Sequence, residues 1–182
     1  MLIAITGTPG IGKTSVSKIL RKNGYEVVDL NKLATDQDFI ISEDKKRNSK
    51  IVDIDKLDKF LKGNFCKQNL VFIEGHLSHL LKSIDKVILL RCHPKELKKR
   101  LKAKKWNKAK IKENIESEIL DIILCESSDL HKSQNIFEID TTKLSKSIVA
   151  SCILEIITKD FKNIKKYNMG QIDWSEEIFK DF

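Results

Sequence analysis

Residues 7–14 of this chain read Gly7-Thr8-Pro9-Gly10-Ile11-Gly12-Lys13-Thr14, and this segment is the strongest indication of its fold. It fits the pattern G-x-x-x-x-G-K-[S/T] at every fixed position. An apolar run, LIAIT at residues 2–6, precedes it, and an amphipathic stretch, KTSVSKILRKNG, follows it. This order predicts a buried strand, a phosphate-binding loop and a helix. Because all three features coincide, a chance match of a glycine-rich loop is disfavoured.

The spacing within the motif has a physical reason. Glycines at positions Gly7, Gly10 and Gly12 let successive backbone N–H groups point inwards around an anion, and the following helix adds the positive end of its dipole. Lys13 is expected to reach the β- and γ-phosphates of a nucleotide, and the Thr14 hydroxyl to ligate Mg²⁺. The sequence therefore predicts a site for ATP with magnesium.

Four further apolar runs alternate with helical patterns along the chain. They are YEVVD at 25–29, NLVFIEG at 69–75, KVILLRC at 86–92 and NIFEID at 135–140. Near-continuous apolar strands that alternate with helices predict a parallel sheet covered on both faces. We therefore expect an α/β protein with a five-stranded parallel sheet, the three-layer fold of P-loop NTPases.

The intervening segments predict helices. Helical patterns cover residues 55–66, 108–127 and 145–161, and Pro94 is suited to open another helix. In the second of these helices Ile111, Ile115, Ile119 and Ile123 form one stripe. In the third, Ile148, Cys152, Ile153, Ile156 and Ile157 are expected to face inwards. Residues 30–53 are polar and weakly periodic, so we expect short helix and loop there rather than sheet.

The composition describes one globular domain. The chain has 182 residues, 41% hydrophobic and 33% charged, which suits a single core. No apolar run approaches the ~20 residues of a membrane-spanning helix, and the start carries no basic leader, so we expect a cytoplasmic protein without membrane contact. No C-x-x-C pair occurs, so we predict neither a zinc site nor disulfides. The cysteines, expected as reduced core residues, are Cys66, Cys92, Cys125 and Cys152.

The net charge of +8 is concentrated in one stretch. Residues 95–112 contain ten Lys or Arg residues and a single acidic residue, Glu96. Such a block can attract polyanions such as ATP or RNA. A solvated, lysine-rich helix explains the same composition equally well.

A second motif, Glu74-Gly75-His76, follows a predicted buried strand, where ligands bind in open parallel sheets. A carboxylate there can hold a magnesium shell, and an adjacent imidazole can orient an acceptor or a water. Alternatively, Glu74 caps a helix and His76 lies at the surface. Four other charged residues occur near strand or helix ends and join this candidate site: Asp29, Asp53, Arg91 and Arg100.

A phosphate-binding loop alone does not name a reaction, because GTPases, motor ATPases and small-molecule kinases share it. The sequence contains no NKxD-like guanine-reading motif, and it is short for a motor or ring ATPase. A compact core with insertions after the second and fourth strands favours a small kinase, whose insertions close over both substrates.

The sequence resembles the atypical adenylate kinases of the CINAP-like type, known from archaea and eukaryotic nuclei. The resemblance covers most of the first 160 residues and rests on GTPGIGKTSVSK, VVDLNKLA, IVDIDKL, EGH, VILLRC, RLKAKKW and KIKENIESEIL. It implies a P-loop kinase domain at 1–166, with a monophosphate-binding segment at 30–53 and a lid at 103–113. The ATP contacts that it implies are Gly10, Gly12, Lys13, Thr14 and Ser15.

Two departures from the family pattern concern charge and length. The family usually has Arg-Gly-aromatic in the lid, where this chain has Lys104-Lys105-Trp106. Lysine keeps the charge but lacks the planar fork, so Lys104 should clamp phosphate less tightly. Many members carry Asp where this chain has Glu74, which should change the geometry of the magnesium shell.

The resemblance implies an adenylate kinase, ATP + AMP to 2 ADP, in which Lys13, Arg91, Arg100 and Lys104 offset charge on the transferring phosphoryl group. It also implies an ATPase in small ribosomal subunit maturation, with a platform ribosomal protein and rRNA as partners. The acidic, aromatic tail at 167–182, which includes Trp174, is a candidate contact for that protein. Two alternatives stay open: a kinase for another small acceptor, and an assembly factor with slow turnover. We expect a monomer or weak oligomer.

Overall fold

The sheet contains the five parallel strands that the sequence predicts. The computed structural model describes residues 1–44, 49–65 and 70–178. In space the strands run in the order β2-β5-β1-β6-β7, and the prediction of a five-stranded parallel sheet is confirmed. Their bounds are β1 Leu2–Thr6, β2 Glu26–Asp29, β5 Val71–Glu74, β6 Lys86–Arg91 and β7 Ile136–Asp140.

The first strand lies at the centre of the sheet. β1 pairs with β5 on one side and with β6 on the other, and all five of its residues are buried. From β1 the chain passes first to one half of the sheet and later to the other. The carboxyl end of β1 is therefore the point at which open parallel sheets bind ligands, and residues 7–14 begin there.

Helices cover both faces of the sheet. Alternate residues of β1 face different cores: Ile3 and Ile5 pack with α1, α4, α5 and α7, whereas Leu2 and Ala4 pack with α2 and α3. The helix bounds are α1 Lys13–Lys22, α2 Leu30–Asp36, α3 Ile54–Phe65, α4 Pro94–Ala103, α5 Lys108–Ile119, α6 Ile122–Leu130 and α7 Lys146–Thr158. None of the described helices is long and apolar enough to cross a membrane.

The segment 30–53 contains a β-hairpin that the sequence pattern missed. The short helix α2 forms as predicted, but β3 Ile40–Asp44 then pairs antiparallel with β4 Ser49–Val52. Both strands lie apart from the main sheet, and Ile41 and Ile51 are 65% and 50% exposed. Because neither strand buries an apolar face, their sequence lacks the alternation by which a strand is recognised.

The single helix predicted over 108–127 is two helices. The chain breaks at Asp121, whose φ of 54° lies in the left-handed region that aspartate tolerates better than most residues. The four isoleucines of the predicted stripe are nevertheless buried. The periodicity therefore predicted correctly which isoleucines face the core, but the prediction that one continuous helix carries them was wrong.

Two other predictions about side-chain burial were wrong in part. α7 buries Val149, Ala150, Ile153 and Ile156, but Ile148 is 49% exposed, because the helix presents a narrower face to the sheet than the pattern suggested. Among the cysteines Cys92 is buried and Cys152 half-buried, whereas Cys125 is exposed on α6. Cys66 lies outside the described residues.

The described part of the tail packs against the domain. Asn168 forms a backbone bridge to Phe137 on the edge strand β7. Trp174 makes an edge-to-face contact with His93, with ring centroids 4.9 Å apart. Glu177 is buried near the same histidine, with its Oε1 3.5 Å from Nε2. The tail thus covers the sheet edge and the start of α4 up to residue 178.

The end of α4 fixes the start of the predicted lid. The N–H of Lys105 donates to the carbonyl of Lys102, and the N–H of Trp106 donates to that of Leu101, which is the Schellman pattern. This motif requires a left-handed residue after the helix, and Lys105 has φ 58°. Glycine is the residue that this conformation favours, so the lysine is held there with some strain.

We expect Lys105→Gly to stabilise the folded chain by about 0.5–1 kcal/mol, because glycine adopts the left-handed conformation without the steric cost that lysine incurs. Urea unfolding followed by circular dichroism measures this change. The control is Lys102→Gly, at an exposed position inside α4, which should cost about 1 kcal/mol. Destabilisation by both substitutions would contradict the prediction.

Candidate active site

The loop between β1 and α1 is held by two close approaches of its backbone. A Cβ atom on Gly7 would lie 2.4 Å from the carbonyl oxygen of Leu90, and one on Gly10 would lie 2.4 Å from Cδ2 of Leu101. Both glycines also have positive φ, 137° and 96°. A Cβ atom at Gly7 would clash with the backbone of β6, and one at Gly10 would clash with the side chain of Leu101. Either substitution would therefore force the loop or that leucine to move.

The N-terminus of α1 has no side-chain cap among the described residues, and its first turn carries no acidic residue. By contrast, α2, α5 and α7 begin with side-chain caps from Asp29, Asn107 and Ser145. The N–H of Ser15 donates to the carbonyl of Gly12, whereas no acceptor for the N–H groups of Lys13 and Thr14 is found among the described residues. These two groups therefore keep their hydrogen-bonding capacity at the positive end of the helix dipole, an arrangement that binds phosphate.

Lys13 lies across the loop. Its Nζ donates to the carbonyl of Gly7 at 2.5 Å and to that of Thr8 at 3.2 Å, and the side chain is buried. Burial lowers the pKa of Lys13 to about 8, although the charges of Glu74 and Glu118 oppose the shift. The ammonium is thus poorly compensated by its surroundings, and a phosphate group would supply the missing negative charge.

Glu74 and Thr14 lie close together beside the loop. The Thr14 hydroxyl donates to Oε1 of Glu74 at 3.2 Å. Burial raises the pKa of Glu74, and the nearby charge of Asp29 adds to the shift, while Lys13 opposes it. A hydroxyl and a carboxylate are hard oxygen donors of the kind that Mg²⁺ takes together with nucleotide phosphates. The donors present therefore fit a magnesium ion held partly by the substrate.

His76 follows Glu74 at the end of β5 and is half-buried. Burial lowers the pKa of His76 to about 4, and the positive charge of Lys13 contributes to the shift. The imidazole is therefore neutral at physiological pH, with one nitrogen able to accept a hydrogen bond and the other able to donate one.

Two cavities have the loop as part of their walls. The first, which we call the His76 cavity, has a volume of about 640 Å³ and reaches the loop at Pro9. The second, the Ser15 cavity, has a volume of about 750 Å³ and reaches it at Gly10 and Gly12. Each is of the size that binds a small molecule.

The predicted segments contribute to these cavities in a regular way. The His76 cavity is lined from the segment 30–53 by Asn31, Ala34, Thr35, Ile40, Lys50 and Val52, and from the segment 103–113 by Trp106, Lys110 and Glu113. Ala103 and Lys104 line the Ser15 cavity instead. The segment predicted as a lid therefore borders both cavities, and the described residues of the segment predicted to bind a monophosphate border the His76 cavity alone.

Arg100 connects α4 to the loop. Its NH1 donates to the carbonyl of Ile11 at 3.1 Å, and its NH2 donates to the carbonyl of Thr141 at 2.9 Å. Arg100 and Lys104 both line the Ser15 cavity, beside Gly10 and Ser15. The structure thus brings both residues to the loop, as the sequence suggested.

Arg91 does not join the residues that surround the loop. It is 2% exposed, and its guanidinium is engaged by three carboxylates, those of Glu118, Asp121 and Glu138. Burial works to lower the pKa of Arg91, but the three acids outweigh it and raise that pKa above its usual range. The interpretation of Arg91 as a phosphate ligand does not fit this arrangement, because its charge is already neutralised by protein.

The two predicted substrate-binding aspartates occupy helix starts. Oδ1 of Asp29 accepts the N–H of Lys32 at 3.0 Å, and Oδ1 of Asp53 accepts that of Lys56 at 3.0 Å. Asp29 is the register partner of Glu74 across β2 and β5, but neither aspartate is among the described residues that line the two cavities. The geometry explains both as capping residues, and of the two Asp29 is the one that lies near Glu74.

Sequence reasoning missed several polar residues near the loop. Asn114 and Glu118 occupy the buried face of α5, three and seven residues after Ile111. A polar residue inside an apolar stripe was the signal that could have found them. His79 is also buried, with Nδ1 3.1 Å from Oγ1 of Thr6 and Nε2 2.9 Å from Oε2 of Glu126.

Comparisons with known proteins agree on one family. A sequence profile described as AAA domain matches residues 3–121. Archaeal proteins named "Putative adenylate kinase" match nearly the whole chain. The protein of Methanocaldococcus jannaschii is 38% identical, over 98% of this chain and 96% of its own length. That of Archaeoglobus fulgidus is 41% identical, over 98% and 94%.

Solved structures support the same fold at low sequence identity. A Thermus thermophilus protein superimposes with a TM-score of 0.58 at 17% identity, over 88% of this chain and 97% of its own. Shikimate kinase from Bacteroides thetaiotaomicron gives 0.53 at 14% identity, over 87% and 98%. With a P-loop NTPase fold and about 40% identity to the archaeal proteins over almost its full length, the chain belongs to the atypical adenylate kinase family.

Proposed function

We propose that this chain transfers the γ-phosphoryl group of ATP to AMP and forms two molecules of ADP. The observation that carries the proposal is the pair of cavities that share the loop as a wall. An enzyme that only hydrolyses ATP needs one nucleotide cavity and a water. A kinase needs two substrates whose phosphates meet at the loop, and this arrangement offers room for both.

We assign ATP to the Ser15 cavity and the monophosphate to the His76 cavity. The Ser15 cavity borders the glycines and the start of α1, which suits the phosphates and nucleoside of the donor. The His76 cavity is bordered by the segments 30–53 and 103–113, the proposed monophosphate-binding segment and lid. The names of the archaeal relatives support adenylate as the acceptor.

The proposed mechanism relies on position and charge. Loop N–H groups and Lys13 would hold the β- and γ-phosphates, and Thr14 and Glu74 would hold the magnesium that accompanies ATP. When bound, the metal ion neutralises charge on the phosphate oxygens. Arg100 and Lys104, which line the Ser15 cavity, add positive potential beside the loop. The protein then needs to form no covalent bond to the phosphoryl group.

Besides bordering the acceptor, the proposed lid would exclude water from the site. If water reaches the γ-phosphate in place of AMP, the same loop catalyses hydrolysis. Trp106 and Lys110 border the His76 cavity from the lid, and His76 borders it from the end of β5. Neutral His76 can orient either the acceptor or a water, so the balance between transfer and hydrolysis depends on which of them occupies the space beside it.

A second candidate function is an ATPase that acts in small ribosomal subunit maturation, with rRNA and a platform ribosomal protein as partners. The observation that favours it is the basic surface of α4 and the lid, where Lys95, Lys99, Lys102 and Lys105 are exposed. An RNA backbone binds such a surface through its phosphates. ATP-dependent capture of the ribosomal protein, with little AMP phosphorylation, would support this candidate.

Turnover of ATP with and without AMP, with the products separated, tests the proposed function. We expect two ADP for each ATP consumed when AMP is present. Lys13→Ala should lower the rate by at least about a hundredfold, because a charge next to the transferring group is lost. The control Lys18→Ala, on the exposed side of α1, should keep the rate. Free phosphate at the same rate with and without AMP would contradict the kinase and support the ATPase.

The assignment of Glu74 to magnesium predicts an effect on nucleotide binding. We expect Glu74→Gln to raise the Mg²⁺ concentration needed for half-maximal ADP binding by roughly tenfold, because a charged oxygen donor is lost. Isothermal titration of ADP at a series of Mg²⁺ concentrations measures this shift. Glu74→Asp should shift it less, and Glu26→Gln, an exposed acid on β2, should not shift it. An unchanged Mg²⁺ dependence in Glu74→Gln would refute the assignment.

The neutral state of His76 predicts its titration. Its ring resonances should shift with a midpoint of about pH 4, and Lys13→Met should move that midpoint upwards, because a neighbouring positive charge is removed. Since burial keeps the folded-state pKa below the unfolded value of 6.5, this group reduces stability as pH falls from 6.5 towards 4. NMR of the histidine protons, assigned with His76→Gln, measures the midpoint. A value near 6.5 would show the interpretation to be wrong.

A further inference from the structure

Glu118, on the last turn of α5, lies behind the phosphate-binding loop. It is 3% exposed, and its two carboxylate oxygens have different partners. Oε2 accepts the hydroxyl hydrogen of Thr8, within the loop, at 2.5 Å. Oε1 accepts from Nε of Arg91 at 2.9 Å and from the N–H of Cys92 at 3.1 Å. One side chain therefore joins the loop to the end of β6.

Arg91 holds Glu118 in a fixed place. Its NH2 also donates to the backbone carbonyl of Glu118 at 3.3 Å, so the guanidinium grips both the side chain and the main chain of that residue. Glu138, on β7, accepts from NH1 at 2.6 Å. A planar guanidinium with partners on β7 and α5 cannot rotate without breaking several charge-assisted hydrogen bonds at once.

Thr8 is a sensitive point of the loop. Its carbonyl oxygen accepts both from Nζ of Lys13 at 3.2 Å and from the N–H of Ile11 at 3.3 Å. A displacement of Thr8 therefore moves a contact of the lysine and the turn that leads into α1. Thr8 is 1% exposed, so its hydroxyl does not exchange the carboxylate for bulk water.

We propose that Glu118 is a positioning residue: through the Thr8 hydroxyl it sets the geometry of the phosphate-binding loop for phosphoryl transfer. Arg91 anchors Glu118 and acts through it. The inference rests on the proposed function, since phosphoryl transfer is the step that it serves. It assigns to Glu118 and Arg91 a role without contact to nucleotide, and it gives the buried charges on β6 and α5 a functional consequence.

The position of Glu118 on α5 links the loop to the proposed lid. α5 begins at Lys108. Two of its residues line the His76 cavity: Lys110, two turns before Glu118, and Asn114, one turn before it. A rigid helix therefore connects residues beside the acceptor to the residue that holds Thr8. The phosphate-binding loop and the wall of the His76 cavity are thus both held by α5.

The test compares four substitutions on this network. Thr8→Val removes the hydroxyl and keeps the shape of the side chain, whereas Thr8→Ser keeps the hydroxyl and removes the methyl group. Glu118→Gln and Glu138→Gln each neutralise one buried carboxylate on Arg91, but only Glu118 touches the loop. Glu138→Gln is therefore the control for loss of stability without loss of the loop contact. Each variant is assayed for kcat, for KM of ATP and for thermal unfolding.

We expect Thr8→Val and Glu118→Gln to lower kcat by roughly ten- to a hundredfold with a smaller change in KM, because misplaced loop donors lose more in the transition state than in binding. Thr8→Ser should recover most of the turnover lost in Thr8→Val. Glu138→Gln should lower the unfolding temperature with a much smaller loss of kcat than Glu118→Gln, because the hydrogen bond from Thr8 to Glu118 stays in place. A wild-type kcat in Thr8→Val, or an equal loss of kcat in both glutamine variants, would overturn the inference.

A readout without turnover separates this inference from the proposed function. In the nucleotide-free protein, amide hydrogen exchange in a peptide that covers residues 6–12 should quicken in Thr8→Val and Glu118→Gln, and not in Glu138→Gln. Absence of that difference would overturn the inference even if the wild type is an active kinase. A different result is also informative. If the two variants exchange faster but the wild type forms no ADP from AMP, the proposed function is wrong and the positioning role of Glu118 stands.

Discussion

The close packing of the loop backbone against β6 and α4 fixes where the candidate active site lies. Gly7 lies against the carbonyl of Leu90, and Gly10 lies against the side chain of Leu101, at distances that leave no room for a Cβ atom. These contacts fix the loop at the carboxyl end of the central strand. Because α1 starts directly after the loop, the direction of its N–H groups follows, and so does the location of both cavities.

Burial gives the charged groups around the loop their chemical character. Lys13 has a lowered pKa, that of Glu74 is raised, and His76 is neutral, and in each case loss of water is the main cause. Arg91 is the exception, because three carboxylates compensate its charge. The loop thus lies between a poorly compensated lysine that suits a phosphate and a fully compensated arginine that suits a structural role.

The sequence predicted those features that depend on neighbouring residues. The loop, the flanking strand and helix, and the position of Glu74 at the end of β5 all follow from local pattern. The role of Arg91 did not, because its partners Glu118 and Glu138 are 27 and 47 residues away, and only the fold reveals that they meet. The antiparallel pairing of β3 with β4 and the break at Asp121 depend likewise on contacts rather than on periodicity. The two cavities could not be predicted either, since distant segments line each of them.

The segment 103–113, proposed as a lid, shows how a departure from the family pattern can be accommodated. With lysine in place of the usual arginine, Lys104 offers one charge without a fork, and the guanidinium of Arg100 is already engaged by backbone carbonyls. Trp106 offsets this loss in part. The Nζ atoms of Lys104 and Lys110 lie 5.9 and 4.7 Å from its ring centroid, and these lysines border different cavities. A single aromatic ring thus restrains one cation beside each cavity, so the left-handed turn that places Trp106 matters for both cavities.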